Sequence, residues 1–325
     1  MARPERTPRS VALEAAIVAR MYFIDGRQKN EIAERLRMSR FKVARLLDEA
    51  RDAGIVRIQV ELPSDLDLPA GEALAARYGI RGAVVARVLP GAEDALGAVL
   101  GSAAVAHLAG VLRDGASLGV SWGSTLAAVA DAVDELPAVD VVQLVGGAVR
   151  GRMPDGGVEL VRRLSEAGGG IAVPLHAPLV LRSADTAREL RTEPGPARAF
   201  AAFERLDVAL VGVGSWQPPS SSLYEEFEPE DRDGLLAQGA AADICSIVLA
   251  ADGAVLRAPA LDRTLGIGEA ELRRVPEVVA VAGGDQKVAA LEAALRSGLI
   301  DTLVTDSTTA AALLGARDGA RGIRA

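Results

Sequence analysis

Three short stretches of this chain hold residue types whose spacing could do chemistry. In SWGSTL (121–126), a glycine and two hydroxyl residues follow an apolar, strand-like run and open an alanine-rich helical one. Gly123 would let the backbone approach a ligand closely. The N–H groups of Ser124, Thr125 and Leu126 would then point out of a helix start, with the positive end of its dipole behind them. Such a start is either a plain helix cap or a cradle for phosphate. In AGGDQKVAALEAAL (282–295), two glycines end another strand-like run and Lys287 falls in the first turn of the next helix. A lysine there opposes the helix dipole, so it is either solvated or partnered by an anion. The third stretch, EIAERLRMSRFKVARLLDEARDAGIVRI (31–58), packs two short amphipathic helices around a turn and ends in a strand-like tail.

That third stretch has the make-up of a helix-turn-helix. Ala33 is the small residue where the helices touch, and Ile32, Leu36, Met38, Val43 and Leu46 supply inward positions. Ser39 is placed to cap the second helix. Ser39, Arg40, Phe41, Ala44 and Arg45 then face outward, with Lys42 on the flank. Two arginines, a nearby lysine and an aromatic ring suit phosphate contacts and base-edge readout in a major groove. GIVRIQVEL (54–62) follows as a glycine stop and a strand, consistent with a wing.

The elements that would position these groups are legible from periodicity. VALEAAIVARMYFI (11–24) reads as a first helix ended by Asp25-Gly26. LPSDLDLPAG (62–71) mixes turn residues and reads as a linker, dividing a head (1–62) from a larger domain (63–325). Beyond it, short apolar runs recur at 83–89, 117–122, 140–147, 170–175, 207–214, 244–250, 277–284 and 301–306. Helical segments lie between most of them, including 93–112, 124–135, 229–238 and 286–297. Strands alternating with helices predict an α/β fold with a Rossmann-like, mostly parallel sheet covered on both faces. Ligands bind such sheets beyond the carboxyl ends of the strands, where SWGST, VGG, GVGS and AGGDQK all fall.

Composition narrows the chemistry. The 325 residues include one cysteine, Cys245, and two histidines, His107 and His176. This argues against a disulfide framework, a metal site and a histidine-dependent triad, and no cofactor is expected. GVGSWQ (212–217) begins like a dinucleotide loop, but Gln217 stands where the last small residue belongs, which argues against NAD. No apolar run approaches the roughly 18 residues that span a bilayer, and MARPERTPRS lacks the apolar core of a signal peptide. A cytoplasmic protein with no membrane partner is expected. The net charge of −8 hides an asymmetry: residues 1–62 carry 13 Lys/Arg against 9 Asp/Glu, a net +4. A basic head on an acidic body can still bind nucleic acid, because the local field steers the contact.

The phrase SRFKVARLLDEARDAGIVRI resembles the DNA-binding head of the SorC family of sugar-binding transcriptional regulators, often grouped as DeoR-like. The resemblance extends from about residue 14 to 314 and includes SWGSTL, VVQLVGG, DVALVGVG, GAAADIC, DRTLGI and VAGGDQKVAALEAALRSGLIDTLVTD. It implies an effector domain similar to sugar-phosphate isomerases and CoA transferases, and assembly as dimers or tetramers. It also implies phosphate contacts from Gly123, Ser124 and Thr125, and further effector contacts near Gln143 and Gly147 and from Asp243, Cys245 and Lys287. On the head the expected DNA-facing set is Gln28, Lys29, Ser39, Arg40, Phe41, Lys42 and Arg45. Two positions depart from the family pattern: Arg37 stands in the turn where glycine is usual, and Gln28 stands where Ser or Thr would open a capping box with Glu31. The expectation is a non-enzymatic regulator of a carbohydrate-metabolism operon that binds double-stranded operator DNA and is gated by a phosphorylated sugar. The alternative is a sugar-phosphate isomerase carrying such a head, with Asp243 or Glu159 as its base.

Overall fold

The computed structural model describes residues 8–57, 66–88, 91, 93–149 and 156–315. The chain divides into two compact units, residues 1–61 and 62–325.

In the first unit, a helix begins at Pro8, where a proline's missing N–H is harmless, and runs to Ala19. Its last turn, Arg20–Ile24, widens to π-helical winding, so the expected helix over 11–24 starts earlier and ends less regularly. Gly26, at φ +66°, turns the chain into the helix Lys29–Arg35. A third helix spans Arg40–Asp52. Val18, Ile32, Ala33, Val43, Leu46, Leu47 and Ala50 form the core between them, with Leu36 and Met38 packed against it. The strand expected beyond Arg57 lies outside the described residues.

The second unit is built on a seven-stranded parallel sheet. In chain order the strands are β1 (Gly82–Ala86), β2 (Ser117–Val120), β3 (Asp140–Gln143), β4 (Ala172–Val173), β5 (Val208–Val211), β6 (Gly214–Ser215), β7 (Ala240–Ile244), β8 (Ile247–Ala250), β9 (Glu277–Val281) and β10 (Thr302–Asp306). The parallel sheet has the order β1-β10-β9-β5-β2-β3-β4, and β6-β7-β8 form a small antiparallel sheet. Every residue of β5, β9 and β10 is buried, which requires cover on both faces and explains their apolar centres.

Two expectations need correction here. ICSIVLA (244–250) is not a strand of the main sheet. Its chain reverses at Cys245-Ser246, so that Ile244 pairs with Ile247 across an antiparallel hairpin. Cys245 takes φ +58° in that turn. The expected linker 62–71 also runs into structure, because the helix Leu68–Tyr78 begins within it. Asp67 accepts from the Ala70 N–H as its cap, and Pro69 occupies a first-turn position that tolerates proline.

Candidate functional site

The adjacency of β9, β5, β2 and β3 brings four carboxyl ends side by side. After β2 the chain passes through Ser121 and Trp122 to Gly123, whose φ of +154° and ψ of +166° lie in a region essentially reserved for glycine. The helix Ser124–Ala132 follows with no side chain capping it, so its first-turn N–H groups are available to a ligand. Neighbouring loops hold this turn in place. The Trp122 indole donates to the Gly146 carbonyl at 2.8 Å, and the Gly212 N–H donates to the Ser121 hydroxyl at 3.3 Å.

Lys287 stands across the cleft, after β9. It ends a short 3-10 turn, Asp285–Lys287, and precedes the helix Val288–Arg296. The sequence placed it inside the first helical turn, but the chain first bends at Gly284, whose N–H is held by Asp306 at 3.0 Å and by the Thr309 hydroxyl at 2.8 Å. The Lys287 ammonium donates to the Val213 carbonyl at 2.8 Å. Burial lowers its pKa, while the charge of Asp243 pulls the other way.

Asp243 comes from β7 and is 6% exposed. Burial pushes its carboxyl up to about 6, against the Ser221 hydroxyl, the Trp216 indole and the Lys287 charge, which favour the ionised form. The indole donates to Oδ1 at 2.9 Å. Opposite it stands Gly214, where a Cβ would lie 2.3 Å from the same oxygen, so only glycine leaves the carboxylate its place. The Cys245 thiol is buried and its pKa is pushed upward, mainly by desolvation, which keeps it an unreactive neutral group.

One cleft is therefore lined by Gly123, Ser124, Thr125, Asp243, Cys245 and Lys287, six of the eight expected effector residues, and its empty volume out to the open mouth is about 590 Å³. Gln143 and Gly147 are not part of that lining. The Gln143 amide is fully buried, donating to the Val145 carbonyl at 2.7 Å and accepting from the Leu175 N–H at 3.0 Å. It is a strut between loops. Gly147 exchanges backbone hydrogen bonds with Ala177 and Leu179, both at 2.8 Å. Glu159, the alternative base, lies on the exposed face of the helix Gly157–Gly168, where Arg162 donates to both its oxygens. His107 lies half-buried beside Glu277, and His176 is exposed. Sequence reasoning missed Ser220 and Ser222, which also line the cleft. Among the described residues that line it, Asp243 is the one carboxylate. Unpaired N–H donors, hydroxyls and an ammonium suit an anion, and a buried carboxylate suits hydroxyl donors.

On the head, the Ser39 hydroxyl accepts from the Lys42 N–H at 3.2 Å, as a cap should. Glu31 accepts from the Gln28 N–H at 3.0 Å, completing one half of a capping box. Arg37 takes φ +48°, the left-handed turn that the sequence implied, at a cost of about 1 kcal/mol. Arg40 and Phe41 are exposed, and Arg45 pairs with Glu49 at 3.3 Å. Lys42 instead turns toward the first helix and ion-pairs with Glu14 at 2.9 Å, which draws it away from the outward face.

The family described as "Putative sugar-binding domain" matches residues 65–315. The chain is also 30% identical, over 315 residues, to the deoxyribonucleoside regulator of Bacillus subtilis (strain 168), covering 95% of this chain and 99% of that one. The chain belongs to the SorC family of sugar-binding transcriptional regulators. This regulator is likewise 33% identical, over 311 residues, to the transcriptional regulator LsrR of Klebsiella pneumoniae subsp. pneumoniae, with 93% of each chain covered. Its fold is similar to that of the full-length sorbitol operon regulator SorC from Klebsiella pneumoniae, with a TM-score of 0.70 at 24% identity over 94% of this chain and 99% of that chain. It is a transcriptional regulator with a sugar-binding domain. Among its described residues, no helix is long and apolar enough to cross a membrane.

Proposed function

We propose that this regulator binds double-stranded operator DNA through residues 1–62 and a phosphorylated sugar through residues 63–325, and that the sugar gates the DNA contact in an oligomer of the chain. The observation that carries this reading is an uncapped helix start, Ser124–Leu126, lining the same cleft as buried Lys287 and Asp243. The N–H groups and the ammonium take the phosphate, and Asp243 accepts from sugar hydroxyls. The regulated genes are then those of carbohydrate metabolism. The relatives named as transcriptional regulators, and a cleft whose described lining pairs Asp243 with no second carboxylate or histidine, support reading the sugar as a signal rather than a substrate.

Thermal unfolding of the full chain with hexose and pentose phosphates tests this. A ligand at a hundred times its Kd adds about 2.7 kcal/mol to the folded state, whereas the unphosphorylated sugars should shift the transition far less. Lys287→Ala should abolish the shift and leave DNA binding intact. A full shift in that variant would place the phosphate elsewhere, and steady conversion of a sugar phosphate by the purified protein would overturn the non-enzymatic assignment.

A further inference from the structure

We infer that Phe41 is a specificity-determining residue of the head and that it reads the C5-methyl group of a thymine in each half-site. The inference rests on the proposed DNA contact and adds to it a base and a chemical group.

Phe41 is 89% exposed in the first turn of the helix Arg40–Asp52. The chain's other four phenylalanines are far less so: Phe23 is 37% exposed, Phe203 and Phe227 are 2% and 0%, and Phe200 is half-buried. A ring held almost wholly in water loses the burial that stabilises its neighbours, so its position asks for an occupant. Its surroundings say which kind. Arg40 and Arg45 are exposed on the same helix, and the first 62 residues carry a net +4. Cations flanking an apolar ring suit a polyanion with apolar spots better than they suit an apolar protein surface. The Ser39 cap fixes the first turn that carries the ring, and first-turn residues of such a helix reach base edges in the major groove.

Phenylalanine offers no hydrogen bond there. Of the groups that base pairs display in the major groove, the thymine methyl is the apolar one. With Lys42 drawn to Glu14, Arg40 and Phe41 are the pair the first turn presents: one donates to a base acceptor or phosphate, and the other packs on a methyl.

The full chain, with and without a pool of hexose and pentose phosphates, is used to select duplexes from a random library. Each thymine of the selected sequence is then replaced singly by deoxyuridine, which removes only the methyl. The expected result is that one thymine per half-site weakens wild-type binding by roughly fourfold when demethylated, that Phe41→Ala is indifferent to the change there, and that Phe41→Leu retains part of it. Because the ring is exposed, the variants should melt with the wild type, and their unfolding curves check this. If Phe41→Ala keeps every methyl dependence of the wild type, or if no methyl matters to either, the inference fails while the DNA-binding function stands. If the wild type enriches no sequence under either condition, the DNA-binding function itself is overturned, and the inference with it.

Discussion

Asp243 is a carboxyl group held away from water beside an indole, a hydroxyl and a lysine, and that setting has a pH signature. Its folded-state pKa of about 6 lies above the ordinary aspartate value of 3.8. The folded chain therefore binds this proton more tightly than the unfolded chain does. The stability it contributes is complete below about pH 4 and is lost as the pH rises through 6. Relative to Asp243→Asn, which keeps the shape without the titration, the wild type should lose on the order of 3 kcal/mol across that window. Denaturant titrations of both proteins from pH 4 to 7 measure the difference, and a constant difference would contradict the burial of the carboxyl. At this scale the sequence spoke unevenly. Ser124, Thr125 and Lys287 stood out because glycines at strand ends announce a close backbone approach. Asp243 and Cys245 were reached only through family resemblance, since nothing local tells a buried ligand-facing aspartate from a solvated one. Gln143, singled out through the same resemblance, showed the converse: in the fold it satisfies two backbone groups in the core. Ser220 and Ser222 sit in a serine run whose spacing marks a loop and nothing more.

The helix that presents the cradle packs closely against the helix Leu96–Val111 at Gly101. A Cβ at Gly101, in the helix Leu96–Val111, would lie 2.4 Å from the Ala128 carbonyl oxygen of the helix Ser124–Ala132. The obstacle is backbone, so one of the two helices must move. Gly101→Ala should cost about 1–3 kcal/mol and should also weaken the sugar-phosphate response, because the displaced helix carries Ser124 and Thr125. Denaturant midpoints and ligand-induced shifts on the same variant check both halves. The elements themselves were legible where burial is two-sided: EVVAVAGG, DTLVTD and DVALVGVG read as strands because each is a short run with an apolar, β-branched centre. ICSIVLA misled for the same reason. Its apolar character continues through a hairpin turn whose left-handed residue is a cysteine, with no glycine or asparagine to mark the reversal.

For the whole molecule, charge separates the two tasks. The basic head on an otherwise acidic chain implies a DNA affinity that falls steeply with salt. Arg40→Ala should weaken binding and lower the salt slope by about one, while the thermal shift produced by a sugar phosphate stays unchanged. Binding isotherms at several salt concentrations test the first expectation, and melting curves test the second. For the sugar to alter DNA binding at all, it must hold one state of the chain more tightly than another. The site itself joins chain segments that lie far apart, from Gly123 through Asp243 to Lys287. Because the entropy of closing long loops opposes contacts between such distant segments, the site is expected to close after β2, β5 and β9 lie side by side. A ligand that needs all of them has nothing to grip in the transition state, so its stabilisation falls on the rate of unfolding rather than the rate of folding. A metabolite held in this cleft would thus also lengthen the lifetime of each folded copy.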